Sequence, residues 1–255
     1  MNYTALTKQL ARIALAAGDA VMRVYNEPPE AKIKSDGSPV TKADKAAEEI
    51  ILAGLRICAP DIPIVSEESE ESHRLKAPAR FFLVDPLDGT KEFLRHDGKG
   101  SFTVNIALIE NGSPVLGVVY APALDRLFAG TVGQGASETR NGERKPASVR
   151  KVPQSGPVAV ASRSHRDEQT DQWLKDHNIE QTVSIGSSLK FCLVACGEAD
   201  IYPRFGPTME WDTAAGHAVL LAAGGFVTTP ENEAFTYGKP GFRNGPFIAT
   251  AHQDN

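Results

Sequence analysis

The chain has 255 residues, of which 41% are hydrophobic and 23% charged, and its formal net charge is -5. This composition is typical of a folded globular protein and argues against a largely disordered chain. The chain lacks the basic excess by which proteins grip a nucleic-acid backbone, so no nucleic-acid partner is expected. Its three cysteines, Cys58, Cys192 and Cys196, are too few for a disulfide framework, and we interpret Cys192 and Cys196, four apart in an apolar stretch, as small buried side chains.

The N-terminal segment predicts a helix and no export signal. The pattern ends at Pro28-Pro29, and its apolar positions follow helical spacing: Leu6, Leu10, Ile13, Ala17, Val21 and Val24. Charged side chains interrupt the apolar core that a signal peptide needs, namely Lys8, Arg12 and Asp19. No apolar run approaches the roughly 20 residues of a membrane span. The sequence therefore predicts a cytoplasmic protein without an integral membrane segment.

The following elements predict a mixed, layered α/β (α+β) fold. A turn-rich loop over 32–41 precedes a helix over about 42–57, and Asn111-Gly112 is a strong hairpin turn signal. The polar stretch 134–156 is interpreted as the link between an N-terminal α+β half, 1–150, and a C-terminal α/β half, 151–255. Strands are predicted at 62–65, 81–84, 101–109, 115–120, 126–131, 158–162, 182–185, 200–203 and near 226 and 247, and helices at 167–177, 188–197 and 211–223.

The segment FFLVDPLDGTKEF carries the most informative chemistry. A buried-type strand delivers Asp85 to its carboxyl end, Asp88 follows three residues later, and Gly89 permits close approach of the chain. Two carboxylates in one tight turn suit a hard divalent cation, to which the Leu87 carbonyl can add a neutral ligand. The amides of Gly89 and Thr90 can open a short helix that binds a phosphate oxygen. The alternative is a solvent-exposed turn in which an aspartate caps a helix.

Three further acidic segments each have a structural and a functional interpretation. Glu67 and Glu68 directly follow a strand; alone they belong to a solvated charge run, but beside the acidic turn one of them becomes a third metal ligand. Asp212 begins a helix of small residues and is either its N-cap or a metal ligand from the second half. The T-x-x-D of PVTKAD is a variant capping box, and the alternative is that Asp44 orients the Thr90 hydroxyl.

Together these segments resemble the inositol monophosphatase superfamily, in the same order and over nearly the whole chain. The segments that carry the resemblance are SPVTKAD, the Glu67-Glu68 pair after a strand, DPLDGT and WDTAAG. Further segments are similar to its bacterial 3′(2′),5′-bisphosphate nucleotidase branch: DPLDGTKEF, SFTVNIALIENG, GVVYAP, ASRSH, SIGSSLKFCLVACGEADIYPRFGPT and WDTAAGHAV. The resemblance implies the layered αβαβα sugar-phosphatase sandwich, with the metal site between the two halves.

The resemblance implies a Mg²⁺-dependent phosphatase that converts adenosine 3′,5′-bisphosphate to AMP and phosphate. Metal-activated water would attack phosphorus directly, without a phosphoenzyme. Two or three Mg²⁺ ions are implied, with the ligands Glu67, Asp85, Asp88, Asp212 and the Leu87 carbonyl; Glu68 is expected to lie behind them. The implied catalytic residues are Asp44, Thr90 and Glu67. The implied substrate contacts are Glu67, Asp88, Gly89, Thr90, Ser162, His165, Ser187, Lys190, Arg204 and Asp212.

Two other functions stay open on sequence grounds. An inositol or sugar-phosphate monophosphatase would use the same metal core, but Lys190 and Arg204, inside otherwise apolar stretches, favour a small-molecule nucleotide with a second phosphate. A non-catalytic nucleotide sensor is disfavoured because every expected catalytic carboxylate is present. Arg163 is equally a surface charge or a substrate contact, and His217 is interpreted as structural.

Further properties follow from the resemblance alone. It implies a role in sulfur metabolism, inhibition by lithium through replacement of one Mg²⁺, and peripheral association with the cytoplasmic face of the inner membrane. The oligomeric state and the preference for the 3′- or 2′-phosphate are left open.

Overall fold

The computed structural model describes residues 1–26, 31–33, 39–95, 100–162 and 167–252. Its α-helices are α1 (Tyr3–Tyr25), α2 (Lys42–Cys58), α3 (Thr90–Arg95), α4 (Glu168–Asp176), α5 (Leu189–Ala195) and α6 (Glu210–Ala222). The strands up to residue 147 are β1 (Ala31–Ile33), β2 (Pro39–Thr41), β3 (Ile64–Ser66), β4 (Arg80–Asp88), β5 (Thr103–Glu110), β6 (Ser113–Ala121), β7 (Arg126–Thr131), β8 (Gly135–Arg140) and β9 (Glu143–Ala147). The later strands are β10 (Val158–Ser162), β11 (Gln181–Ile185), β12 (Ile201–Arg204), β13 (Thr208–Met209), β14 (Phe226–Thr228), β15 (Arg243–Asn244) and β16 (Phe247–Thr250).

Two sheets organise the molecule. The larger has seven strands in the order β3-β4-β5-β6-β7-β8-β9, antiparallel except for the parallel pair β3 and β4. The smaller has five strands in the order β11-β10-β12-β16-β14. Here β10 runs parallel to β11 and β12, whereas β16 is antiparallel to its two neighbours. The ribbons β1-β2 and β13-β15 lie apart from both sheets.

Alternation along the strands builds the layers, because successive side chains point to opposite faces of a sheet. In β4, Phe82 and Val84 face the core shared with α1 and α2, and Phe81 and Leu83 face the core shared with α5 and α6. The smaller sheet closes this second core, and α4 covers its other face through Leu174. The order helix, sheet, helix, sheet, helix confirms the predicted αβαβα sandwich.

The predicted helices are confirmed, as is the Asn111-Gly112 hairpin turn, whose residues have φ of 49° and 78°. The stretch 134–156, interpreted as the link between the halves, contains β8 and β9, and only 148–156 lie between β9 and β10. These strands turn at Asn141-Gly142, where φ is 51° and 76°. Most of their residues are polar because both faces of this hairpin are largely exposed. The alternation of apolar and polar residues that predicts a strand is therefore weak in this stretch.

The structure revises two further expectations, the loop at 32–41 and the turn at 85–88. The 32–41 loop has paired ends, since β1 and β2 are antiparallel with Ala31 opposite Thr41, while 34–38 fall outside the described residues. β4 runs on to Asp88, so the acidic turn is a continuation of the strand. The boundary between halves at residue 150 stays a prediction. In the described part of the chain, no helix has the length and apolar character needed to cross a bilayer.

The burial of Cys192, Cys196 and His217 agrees with their interpretation as structural side chains. Cys192 is buried and Cys196 is partly buried, both are free thiols, and burial raises the pKa of Cys196 to about 12. The His217 imidazole is buried in α6 with its Nδ1 3.0 Å from the Tyr237 hydroxyl, and burial lowers its pKa to about 3. These side chains are neutral at ordinary pH and contribute packing.

Helix α6 lies directly on the backbone of the larger sheet. A Cβ atom at Gly117 in β6 would lie 2.4 Å from the carbonyl oxygen of Ala215 and 2.8 Å from the Cβ of Ala218. A Cβ atom at Gly130 in β7 would lie 2.8 Å from the Cα of Val219. Because no side chain separates the helix from the strands, these glycines set the height of α6 above the sheet.

We predict that Gly117→Ala destabilises the protein by about 1–3 kcal/mol, since the methyl group must displace the α6 backbone. Chemical denaturation measures this loss. Gly245→Ala is the matched control, because a Cβ atom there has nothing within 4 Å among the described residues and the glycine does not need a positive φ. Equal stability of the two variants would contradict direct backbone packing.

Candidate metal centre and active-site cleft

A cleft of about 520 Å³ opens where the carboxyl end of β4 meets the starts of α3, α5 and α6. Most of the residues predicted from the sequence line it: Glu67, Asp85, Leu87, Asp88, Gly89, Thr90, Ser187, Lys190, Arg204 and Asp212. Because these residues come from distant parts of the chain, their convergence is a property of the fold.

The acidic turn is a bulge at the end of β4. Asp85 pairs with Asn105 of β5, and Asp88 pairs with Thr103, so β4 has one extra residue between the two pairs. The Leu87 amide donates to Asp85 Oδ1 at 3.0 Å. The bulge thus brings two carboxylates, which would otherwise follow the strand's alternation, to the same cleft.

Gly89 ends the bulge in a backbone conformation that favours glycine. Its φ is 91°, and a Cβ atom there would lie 3.2 Å from the Ser101 carbonyl oxygen. The Thr90 hydroxyl then donates to the Leu87 carbonyl oxygen at 3.3 Å, and the Phe93 amide donates to the Gly89 carbonyl at 2.9 Å as α3 begins. The turn is therefore held by its own backbone.

Glu67 and Asp212 join the cluster from two other elements. The parallel pairing of β3 and β4 places Glu67 beside the acidic turn, and its amide donates to the Val84 carbonyl at 3.1 Å. Asp212 lies in the first turn of α6, where its Oδ2 accepts from the Met209 amide at 2.9 Å. The N-cap position belongs to Met209, so the interpretation of Asp212 as the N-cap itself is wrong. Asp212 still caps the helix from its third position and leaves its other oxygen for the cleft.

Carboxylate oxygens of Glu67, Asp85 and Asp212 all lie within 4.8 Å of one another. Burial raises the pKa of Asp85 well above its usual value, and the negative charges of Glu67, Asp88 and Asp212 raise it further. Burial also raises the pKa of Asp212. A hard divalent cation offsets this repulsion and prefers oxygen ligands, so the donor set fits a metal ion of the Mg²⁺ type.

The start of α5 is tied to the acidic turn by Ser188. Its amide donates to Asp88 Oδ2 at 2.6 Å, and its hydroxyl donates to Asn105 Oδ1 at 2.6 Å. The same hydroxyl lies 2.8 Å from the Thr103 hydroxyl. Ser187 adopts a left-handed φ of 54° that turns the chain into the helix. These hydrogen bonds hold the segment that carries Lys190 against the β4 bulge and the adjacent strand β5.

Two cations, Lys190 and Arg204, also line the cleft and form its positive wall. Lys190 is only 3% exposed, and its ammonium donates to the Ser187 carbonyl and lies 5.3 Å from the Tyr202 ring centroid. Burial lowers its pKa to about 8, although Asp88 opposes that shift. The Arg204 guanidinium donates to the Pro207 carbonyl at 2.9 Å. Buried positive charge beside a carboxylate cluster suits an anion that bridges both.

Other predicted residues lie elsewhere or outside the described residues. Asp44 is buried in the first turn of α2 and is not among the described residues that line the cleft. However, β2 leads into α2 and contacts α3, which begins at Thr90. Ser162 ends β10, where it pairs with Ile185, and nothing is described of its side chain. Arg163 and His165 fall outside the described residues.

Within the Glu67-Glu68 pair, Glu67 is the residue that lines the cleft and shares the carboxylate cluster. Four residues that were not predicted from the sequence also line the cleft: Ser188, Tyr202, Arg243 and Asn244. Ser188 directly follows Ser187, which was predicted to contact the substrate, so the sequence offered a local signal for it. Arg243 and Asn244 follow a turn-rich stretch without periodicity, and only their pairing with β13 brings them to the cleft.

We predict that Asp85→Asn stabilises the metal-free protein by on the order of 1 kcal/mol and abolishes its stabilisation by Mg²⁺. The amide keeps the acceptor for the Leu87 N–H but removes one charge from a repelling cluster. Thermal unfolding with and without Mg²⁺ measures both effects. Asp61→Asn, at an exposed position, is the control and should change neither. An Asp85→Asn protein that Mg²⁺ stabilises as strongly as wild type would remove Asp85 from the metal centre.

Comparison with known proteins places this cleft in a family. The inositol monophosphatase family model matches residues 2–254. The chain is 49% identical over 247 residues to the 3′(2′),5′-bisphosphate nucleotidase CysQ of Salmonella typhimurium LT2, covering 93% of this chain and 98% of the relative. It is 48% identical over 244 residues to that of Escherichia coli K12, covering 92% and 97%. The crystal structure of CysQ from Bacteroides thetaiotaomicron has a TM-score of 0.87 at 35% identity and covers 99% of each chain. The chain belongs to the inositol monophosphatase family.

Proposed function

We propose that this chain is a magnesium-dependent 3′(2′),5′-bisphosphate nucleotidase that hydrolyses adenosine 3′,5′-bisphosphate to AMP and phosphate. The observation that carries the proposal is that one cleft is lined both by a carboxylate cluster and by two cations, the buried Lys190 and the half-buried Arg204. The cluster suits the phosphate that is removed, and the cations suit the phosphate that stays. Relatives that carry this activity in their names, at 48–49% identity over most of their length, support the same conclusion.

The proposed metal ligands are Glu67, Asp85, Asp88, Asp212 and the carbonyl of Leu87. When bound there, two or three Mg²⁺ ions would stabilise charge on the phosphoryl and leaving oxygens and lower the pKa of the attacking water. The protein supplies the geometry of this centre through the bulge at Asp85–Asp88 and the first turn of α6. The set contains only oxygen donors, as Mg²⁺ prefers.

Thr90 and Asp44 are proposed to handle the proton of the attacking water. The Thr90 hydroxyl already donates to the Leu87 carbonyl, which fixes its oxygen at the edge of the carboxylate cluster. Asp44 is buried at the start of α2. Strand β2, which leads into α2, contacts α3, the helix that begins at Thr90. In this scheme the Thr90 hydroxyl turns its one proton from the Leu87 carbonyl to the Asp44 carboxylate, its oxygen and Glu67 orient the water, and no phosphoenzyme forms. The amides of Gly89 and Thr90 donate to the phosphate that is cleaved.

The retained phosphate is proposed to contact Lys190, Arg204 and Ser187. With a pKa of about 8, Lys190 is mostly protonated at neutral pH, and a nearby phosphate favours that charged form. Arg204 is held by the carbonyls of Gly206 and Pro207, so its guanidinium is oriented before substrate arrives. Ser162 and His165 are proposed as further contacts with the nucleotide. A monophosphorylated inositol or sugar would leave this positive wall without an anionic partner, which disfavours the alternative substrates.

Three accompanying properties stay predictions. The enzyme is proposed to act in the cytoplasm, in sulfur metabolism. It is also proposed to associate peripherally with the cytoplasmic face of the inner membrane. Inhibition by lithium would follow if Li⁺ occupies one of the Mg²⁺ positions.

The direct test is phosphate release with Mg²⁺ from adenosine 3′,5′-bisphosphate, inositol 1-phosphate and fructose 1,6-bisphosphate in parallel. We expect the nucleotide to be strongly preferred by kcat/KM, because it presents one phosphate to the carboxylate cluster and a second to Lys190 and Arg204. A preference for either sugar phosphate would overturn the substrate assignment. Release from none of them, although Mg²⁺ binds, would favour a non-catalytic sensor.

Charge-removing variants test the positive wall. We expect Lys190→Met and Arg204→Met each to lower kcat/KM for the bisphosphorylated nucleotide about 10–100-fold, the cost of one charge-assisted contact, and to change inositol 1-phosphate turnover much less. Methionine keeps most of the side-chain volume. Lys175→Met and Arg140→Met, at exposed positions, are the matched controls and should change neither substrate. Equal losses on both substrates would assign Lys190 and Arg204 to the fold or the metal centre instead.

A further inference from the structure

The segment that carries Glu67 is fastened to α6 by one aromatic contact. The imidazole of His73 stacks on the indole of Trp211 with ring centroids 4.6 Å apart and an interplanar angle of 21°. His73 lies in a short 3₁₀ turn, Ser72–Arg74, and Trp211 directly precedes Asp212. The contact therefore joins the segment behind one proposed metal ligand to the helix that carries another.

The other end of the His73 ring holds the residue before Glu67. Nε2 lies 2.8 Å from the Ser66 carbonyl oxygen, and because a carbonyl can only accept, Nε2 must carry the proton. The Ser66 amide donates to Ser72 Oγ at 3.1 Å, and its hydroxyl donates to Glu48 Oε1 at 2.6 Å. The amide, hydroxyl and carbonyl of Ser66 are thus all hydrogen-bonded. A shift of His73 would therefore displace Ser66 and, with it, the adjacent Glu67.

Trp211 is a rigid platform for this contact. Its side chain is 4% exposed and packs near Phe242, with ring centroids 6.5 Å apart. Its indole N–H has no hydrogen-bond partner in the described structure, so ring packing determines its orientation. Helix α6 itself lies on the glycines of β6 and β7. Because Trp211 is held in place by these contacts, it resists movement of His73 and of the Glu67 segment that His73 holds.

We propose that His73 is a positioning residue that braces the Glu67 segment against Trp211 and so sets the spacing between the carboxylates of Glu67 and Asp212. These carboxylates lie within 4.8 Å of each other and repel, so their segments need a contact that resists separation. His73 touches neither the substrate nor the metal ligands' oxygens in this role. The inference rests on the proposed metal centre and extends it to a residue that controls Mg²⁺ affinity.

Calorimetric titration of Mg²⁺ into the metal-free protein tests the brace without measuring activity. We expect His73→Ala to bind Mg²⁺ about 10-fold more weakly than wild type, as is usual when a residue that orients metal ligands is removed. His73→Phe keeps the ring but loses the bond to Ser66, and its affinity should fall by less. Turnover of His73→Ala should recover at high Mg²⁺, with KM for the nucleotide little changed, which a general loss of folding would not produce.

The chain offers a matched control in His177. Its ring stacks on Trp173 with centroids 3.8 Å apart at the same interplanar angle of 21°, but it lines a separate cavity and not the cleft. His177→Ala removes an equivalent histidine–tryptophan stack and should bind Mg²⁺ as wild type does. An equal loss of affinity in His177→Ala would overturn the proposal, because the effect would then be one of overall stability.

An affinity of His73→Ala within twofold of wild type would also overturn the brace. If His73→Ala does not fold, His73→Phe decides: a weaker affinity supports the brace, and an unchanged one rejects the link from His73 to Ser66. Wild-type protein that binds no Mg²⁺ would remove the proposed metal centre and the brace with it. Normal binding by wild type with unchanged affinity in the variants would remove the brace alone.

Discussion

The repulsion between buried carboxylates is the constraint on which the rest of this structure depends. Glu67, Asp85 and Asp212 bring oxygens within 4.8 Å of one another, and burial together with their mutual charge raises the pKa of Asp85 and Asp212. Such a cluster destabilises any fold that does not hold it by other contacts. Several features of the molecule supply that support: the bulge of β4, the Ser188 bonds at the start of α5, and the close packing of α6 on the sheet.

The support comes from both sides of one shared core. Residues of the larger sheet, of α5 and α6 and of the smaller sheet pack together in a single cluster, so strand β4, which leads to the acidic turn, and helix α6, which carries Asp212, share one core. The glycines beneath α6 matter because they let backbone contact backbone, which leaves less freedom than an intervening side chain would. A metal centre built from segments distant in the chain requires this rigidity, since its ligands must keep their spacing without covalent links between them.

Carboxylates and cations line the same cleft. Asp88 connects the two sets, since it accepts from the Ser188 amide and its charge favours the protonated form of Lys190. Burial of Lys190 costs free energy that a structural role alone would not recover, because an apolar residue of similar size would fill the space. An anionic ligand with two phosphates offsets that cost, and this is the physical basis of the proposed preference for a bisphosphorylated nucleotide.

Much of the fold was predictable because its signals are local. The helical spacing of α1, the Asn111-Gly112 turn and the buried strand before Asp85 each depend on a few neighbouring residues, and the structure confirms all three. The hairpin of β8 and β9 was missed because exposed edge strands carry polar residues on both faces, and their turn at Asn141-Gly142 was outweighed by that polarity.

The sequence by itself singled out the acidic residues of DPLDGT and WDTAAG, which the structure brings to one cleft, because each motif is contiguous in the chain. Only the tertiary structure decided that Met209 is the N-cap while Asp212 serves the helix from its third position, and that Ser188 holds the start of α5 against the bulge. It also revealed the contact of His73 with Trp211, which are 138 positions apart. The physical reason is the same in each case: these choices depend on contacts between segments far apart in the chain, and no local pattern encodes the distance between them.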